Sequence, residues 1–337
     1  MQRAIQIQHS KELRGMSTTV PVPAVESSAA TPVAASGFER RARWFPWLLF
    51  GPTVLYLLVM SIFPLIYSLY ISLFDYTLGL DQTFVGLGNY ASLLSDPIFW
   101  RKAGVTLQIT VAAVAVQLGL GLLCALTLNR RLPGMGGLRL IIYLPMMLSP
   151  LVVGYFWSFM LDGSFGVINY LLSFVGVPPQ QWTIDLTLAK ASIVLVETWM
   201  WTPFVILILL AGLQSVPPAL YEAATLDRAS GWMQFRRITL PYLKTPILLA
   251  LLFRTIDTFK IFDVPFIVTK GGPGDETETL AFFAFREGFQ FSALGRGAAI
   301  AWLIVIVINV LATILIKILT RPRAQVQVVL DEEGAVA

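Results

Sequence analysis

Charge is scarce in this chain. Only 13% of its 337 residues are Asp, Glu, Lys or Arg, about half the share of an ordinary soluble domain, while 56% are apolar. That balance excludes a water-soluble globule and points to an integral membrane protein. Cysteine is limited to Cys124, so no disulfide within the chain is available, and its place in an apolar run assigns it to packing. Histidine is limited to His9 in a polar stretch, which leaves no material for a histidine-based metal or catalytic site. The pattern G-x-x-x-x-G-K-[ST] is missing, and Lys270–Gly274 does not supply it, so the usual phosphate cradle for ATP is excluded. The net charge of +4 is spread over the ends of apolar segments rather than gathered on one polar face, which suits topology and not nucleic acid. No catalytic residue, metal or cofactor is expected.

Long apolar runs are what the chain has instead. Residues 1–38 come first, rich in Ala, Ser, Thr, Pro and Val, and cannot bury enough apolar surface to offset their ordering entropy. They predict a disordered tail without the apolar core of a signal peptide, and Met16 is an alternative start. Arg40, Arg41 and Arg43 then abut an uncharged run from Trp44 to Phe74. A bilayer core takes about 20 helical residues, so this run is long enough to span. Further spans are expected at about 103–128, 140–161, 189–213, 243–268 and 295–318. Six spans make an all-α polytopic membrane bundle with both termini on one side. On that side lie Arg40, Arg41, Arg43, Arg130, Arg131, Arg139, Arg228, Arg236, Arg237, Lys244, Lys317, Arg321 and Arg323, thirteen cations. Six lie opposite: Arg101, Lys102, Lys190, Lys270, Arg286 and Arg296. The richer side is cytoplasmic.

The stretch Tyr221–Pro246 falls on that side and carries unusually clear helix signals. Pro217 and Pro218 suit a first turn, which has no use for their missing N–H groups. Glu222 falls in or near that turn, toward the positive end of the helix dipole. Ala223 and Ala224 favour helix and let a partner approach the backbone closely. Gly231 is expected to end the helix in the left-handed conformation, and Pro241 to break the segment after it. The stretch resembles the EAA loop of permease subunits in binding-protein-dependent ATP-binding-cassette (ABC) importers. It matches that pattern at Glu222, Ala223, Ala224, Asp227, Ile238, Leu240 and Pro241, and departs from it at Arg228, where the family has glycine.

The outer stretches Phe84–Trp100, Leu144–Asn169 and Phe259–Leu280 resemble the carbohydrate branch, the last in the form usual for the first of two unlike permeases. The resemblance implies a type I ABC importer permease fold in a bacterial inner membrane. It implies a core permease domain at 103–318 with the coupling loop at 214–242, after a first helix and external loop at 39–102 and before a cytoplasmic tail at 319–337. It implies a second permease subunit, two ATPase subunits, an extracytoplasmic binding protein, and a carbohydrate cargo, with a disaccharide or polyol favoured. Glu222, Ala223, Ala224, Asp227 and Gly231 would couple to the ATPase.

The spans hold a few charges of their own. Arg254, Asp257, Lys260 and Asp263 alternate in sign at spacing three, and Arg254 lies ~16 Å into a span beginning at Leu243. Intramembrane charges face a protein interior or a water-filled path. Arg254 and Asp257 are therefore pathway candidates, with a structural ion pair as the alternative, while Lys260 and Asp263 approach the outer interface. Glu197 is expected to face a polar cavity or a cation. Trp199 is either a wall for a sugar ring or ordinary packing. Tyr155, Phe156 and Trp157 carry the same ambiguity, and Pro145 and Pro150 are expected to kink the third span. The rival readings are an ion-coupled secondary transporter, using the membrane charges as a relay, and a membrane-embedded enzyme.

Overall fold

A computed structural model describes residues 37–129 and 134–320. The expected tails, apart from their innermost residues, lie outside the described residues, as do His9, Met16, Arg130, Arg131, Arg321 and Arg323. The chain divides into two units between Phe63 and Pro64. Helix α1 runs Gly37–Ser72, and its part through Phe63 makes up the described portion of the first unit.

The second unit is mostly helical, as expected, and begins with one short strand pair. Phe74–Asp75 (β1) pairs antiparallel with Thr83–Phe84 (β2). The chain reverses there under Asn89, whose Nδ2 donates to the carbonyls of Ser72 and Phe74 at 2.8 Å each. Asn89 belongs to a short helix, α2, Gly88–Leu94. Helix α3, Pro97–Leu128, starts where Asp96 accepts the Ile98 N–H and Pro97 fills the first turn. Both choices suit a helix start, one by satisfying an orphan donor and the other by not having one. Helix α7, Leu186–Gln214, begins the same way, with Asp185 accepting from Thr187 and Leu188.

Between them, α4 (Met135–Tyr143) passes into a 3-10 turn at Leu144–Met147 and then α5 (Pro150–Met160), which turns away by 97°. Pro145 opens the 3-10 turn and Pro150 opens a new helix, so the expected kink is a break. Helix α6 is Val167–Ser173. After α7 come α8 (Pro218–Leu226) and α9 (Gly231–Gln234), then a π turn at Phe235–Thr239 and α10 (Leu240–Phe259). The expected fifth span to 268 thus stops early. Lys260 closes α10, and Pro265–Thr269 forms a separate buried π turn. Helix α11 (Leu280–Phe285), a π turn at Arg286–Gln290 and α12 (Leu294–Leu319) complete the described chain.

Four described helices are long and apolar enough to cross a membrane, or five if the broken α4–α5 pair is one span. Helix α10 falls short of that standard, because its 20 residues include Lys244, Arg254 and Asp257. Helices α3, α7 and α10 pack on one another at the centre of this unit. Small residues set that approach: a Cβ at Gly121 of α3 would meet Val205 of α7 at 2.6 Å, and one at Gly212 of α7 would meet Pro246 of α10 at 2.5 Å. Lipid offers no hydrophobic force to drive helices together, so such close backbone packing carries the association. Buried Ala125, Val205, Ile206, Leu209, Leu243 and Ala250 form the seam.

Candidate functional site

Two sites are candidates, one in the loop between α7 and α10 and one inside the bundle. In the loop, Pro217 precedes α8 in extended backbone and Pro218 takes its first position, as their ring geometry favours. Glu222 sits just past the first turn rather than in it. Glu222, Ala223 and Asp227 are exposed and Ala224 is half-buried. The Tyr221 hydroxyl meets the Thr239 hydroxyl at 2.9 Å, tying α8 to the π turn before α10. What projects is a two-turn helix with methyl-sized side chains, flanked by Leu226 at 85% exposure and Trp232 at 70%.

The end of α8 corrects the expectation for Gly231. Arg228 takes the left-handed conformation, at φ 55°. The Ala229 N–H reaches back to the Ala224 carbonyl at 2.9 Å, and the Arg228 N–H to Thr225 at 3.0 Å. Those two bonds make a Schellman close, whose left-handed residue is ordinarily glycine. It falls on the one position where this chain departs from the EAA pattern. Gly231 instead begins α9, behind Ser230, whose Oγ accepts the Met233 N–H. Pro241 does not break the chain either. The run from Gly231 to Phe259 stays helical, and the wide turn at Phe235–Thr239 takes up the disturbance just before the proline ring.

Inside the bundle, Glu197 and Arg254 come together. Arg254 is fully buried, and its Nη2 donates to Glu197 Oε1 at 2.5 Å and to the Thr258 hydroxyl at 2.9 Å. Its Nε donates to Gln117 Oε1 at 2.9 Å, while Gln117 Nε2 donates to the Glu197 backbone carbonyl at 3.0 Å. The Trp201 ring lies 4.8 Å from the guanidinium carbon. One arginine thereby ties α3, α7 and α10. Of the two surroundings expected for Glu197, a cavity or a cation, the structure supplies the cation.

Nη1 of Arg254 lacks a hydrogen-bond partner among the described residues and stands 3.9 Å from Asp257 Oδ2. Asp257 is partly exposed and also pairs with Lys260 at 3.1 Å. The Trp199 ring meets a different partner, edge-on to Trp157 at 5.7 Å. Trp157 is buried, whereas Tyr155 and Phe156 are exposed. Gln117 escaped sequence reasoning, though it and Gln108 are the two amides in the apolar run of α3 and Gln117 lies in its middle.

A second buried ion cluster gave no such signal. Lys102, counted above as an outer-loop cation, is fully buried at the start of α3. Its Nζ meets Glu278 at 2.5 Å and Asp275 at 3.2 Å, and Arg286 joins both acids. Burial pushes the Glu278 carboxyl up despite the two cations. Burial pushes Asp275 the same way, but its bonds to Arg286 and Lys102 outweigh it and hold the carboxyl below its ordinary range. The cluster fastens the loop before α11 to the base of α3.

Residues 117–324 match the family described as binding-protein-dependent transport system inner membrane component. A probable ABC transporter permease of Sinorhizobium fredii is 39% identical over 86% of this chain and 95% of its own length. The trehalose/maltose transport system permease MalF of Thermococcus litoralis is 37% identical, over 81% of this chain and 92% of its own. The trehalose transport permease SugA of Mycobacterium tuberculosis is 34% identical, over 87% and 95%. Among solved structures, a chain of a bacterial alginate ABC transporter, in complex with a periplasmic protein carrying an alginate pentasaccharide, superposes with a TM-score of 0.74. That match covers 86% of this chain and all of the other at 21% identity, which establishes likeness of fold.

Proposed function

The chain belongs to the inner membrane components of binding-protein-dependent transport systems, and from that premise we propose that α8 is the plug through which separate ATPases drive it. It is a multi-pass inner membrane permease subunit of an ABC importer for sugars, working with a periplasmic binding protein and without catalysis of its own. Its own reaction is a change of access. The bundle crosses the membrane six times in this reading, with α10 as the span that charge makes inconspicuous and both termini in the cytoplasm. A second, unlike permease completes the pathway, and two ATPase subunits sit beneath.

The observation that carries the coupling is the bare surface of α8. The exposed side chains are small at Ala223 and acidic at Glu222 and at Asp227 just past its end, and no other described residue covers them. Closure of the ATPases moves this helix, and Tyr221–Thr239 passes the movement to α10. A driven change needs contacts that differ between two states, and a docked helix supplies them. In the pathway, Asp257 and Trp199 are the members of the candidate set with exposed surface, and Glu197 and Arg254 act behind Asp257 as a positioning pair.

The ion-coupled alternative is set aside by family membership, and its relay is tied up, since Arg254 spends its charge on Glu197. The relatives named for trehalose and maltose favour a disaccharide over a polyol as cargo. The test is radiolabelled uptake by the assembled importer carrying Ala223→Trp. Loss of uptake with intact assembly is expected, and uptake at the wild-type rate would contradict the coupling role.

A further inference from the structure

Where α10 leaves the loop, a groove of about 450 Å³ opens between it and the last turns of α12. Leu240, Ile247, Leu248 and Ile318 give it apolar walls, and its charged members are Arg236 and Lys244, with no acid among its lining residues. Both cations are exposed, and neither makes an ion pair or side-chain hydrogen bond among the described residues. That sets them apart from Lys102 and Arg254, which are fully buried and paired with acids.

Their spacing adds to the contrast. Arg236, Leu240, Lys244 and Leu248 recur every four residues, so one stripe of the helical run alternates cation and apolar side chain. Along the stripe, Arg236 and Lys244 are separated by ~12 Å of rise, and Leu248 lies ~6 Å further on. Both cations therefore fall on the loop side of the stripe, with Leu240 between them, and Ile247 and Leu248 continue it without charge toward the membrane end. A phospholipid has the same sequence of parts, phosphate first and acyl chain after.

We propose that this groove holds one anionic phospholipid, its phosphate on Lys244 and Arg236 and an acyl chain along Leu248, Ile247 and Ile318. A zwitterionic headgroup would bring its own cation against the two already there, whereas an anionic one leaves them matched. Basic pockets between membrane helices at the headgroup level suit such lipids. The site lies at the base of the segment that joins α8 to the bundle, so its occupant would steady the turn through which the loop moves. The proposal needs α10 and α12 to be in the bilayer, and does not depend on which leaflet faces the ATPases.

The test uses the full chain in its assembled importer, in nanodiscs of phosphatidylcholine mixed with phosphatidylglycerol. Lipid retained by the complex is read by native mass spectrometry. Wild type is expected to keep phosphatidylglycerol in preference to phosphatidylcholine. Each cation removed should weaken that preference roughly fivefold. R236Q/K244Q is thus expected to lose it, while R237Q, whose side chain does not line the groove, keeps it. Leu248→Trp fills the groove with both cations intact and is expected to displace the lipid, which keeps the test decisive if the double variant fails to assemble. Equal retention of the two lipids by wild type would overturn the proposal, as would undiminished retention in R236Q/K244Q. A photoreactive residue at position 248 that labels a protein neighbour instead of lipid would assign the groove to a subunit interface.

Discussion

The bundle and the loop use polar residues in opposite ways. Inside the bundle, Arg254 has Glu197, Gln117 and Thr258 around it and a tryptophan ring against it, so nearly every donor is answered by the same chain. On α8 and at its C-terminal cap, Glu222 and Asp227 are exposed beside alanines, and large apolar Leu226 is uncovered by any described residue. Lipid explains the first arrangement, because an unanswered charge there is costly and the chain must satisfy it alone. The second makes sense for a surface whose answering groups belong to another subunit. In the proposed reading, completeness marks the site that holds the bundle together, and incompleteness the one that awaits a partner.

That contrast is broken most severely at Arg254. R254A leaves Glu197 buried without its cation and is expected to cost about 3–5 kcal/mol, read as a lower unfolding temperature in detergent. Replacing both partners, R254M/E197M, should recover most of the loss, because the pair is weak evidence of net stabilisation once both charges are gone. A double variant as unstable as the single one would mean that the pair answers to something beyond this chain. Next comes K102M, expected to cost about 3 kcal/mol, the lower end of that range, because Glu278 keeps Arg286 as a second cation. A loss below ~1 kcal/mol would mark the outer cluster as a surface pair.

Smaller effects belong to the loop. R228G removes a left-handed strain on a side-chain-bearing residue and should stabilise by about 1 kcal/mol, measured by the same unfolding assay. No gain would mean that the arginine side chain repays its backbone cost. A223W should change stability least, within about 0.5 kcal/mol, while abolishing uptake. A loss of stability on that scale of the bundle variants would show α8 to be part of the core instead.

How much of this was legible in the sequence depends on the range of each interaction. The helix of the loop was readable because Pro217, Pro218 and two alanines act within a single turn or two. Its end was misplaced, since the glycine rule pointed to Gly231 while Arg228 took the left-handed turn. The Glu197–Arg254 pair was half-readable: each charge was conspicuous in an apolar run, but their partnership spans 57 residues. Lys102 and Glu278 gave no such clue, because a lysine at a span end looks like an interfacial anchor. The break of α10 at Lys260 and the two-residue β pair depend on packing that no local pattern announces.

The most direct measurement is a cysteine at position 223, in a background where Cys124 is replaced by alanine, combined with single cysteines along the ATPase surface. If α8 is a plug for a foreign motor, position 223 should crosslink to the ATPase in high yield, and the yield should change between the nucleotide-free and ATP-bound importer. Crosslinks confined to this chain, in an importer that still transports, would contradict the account.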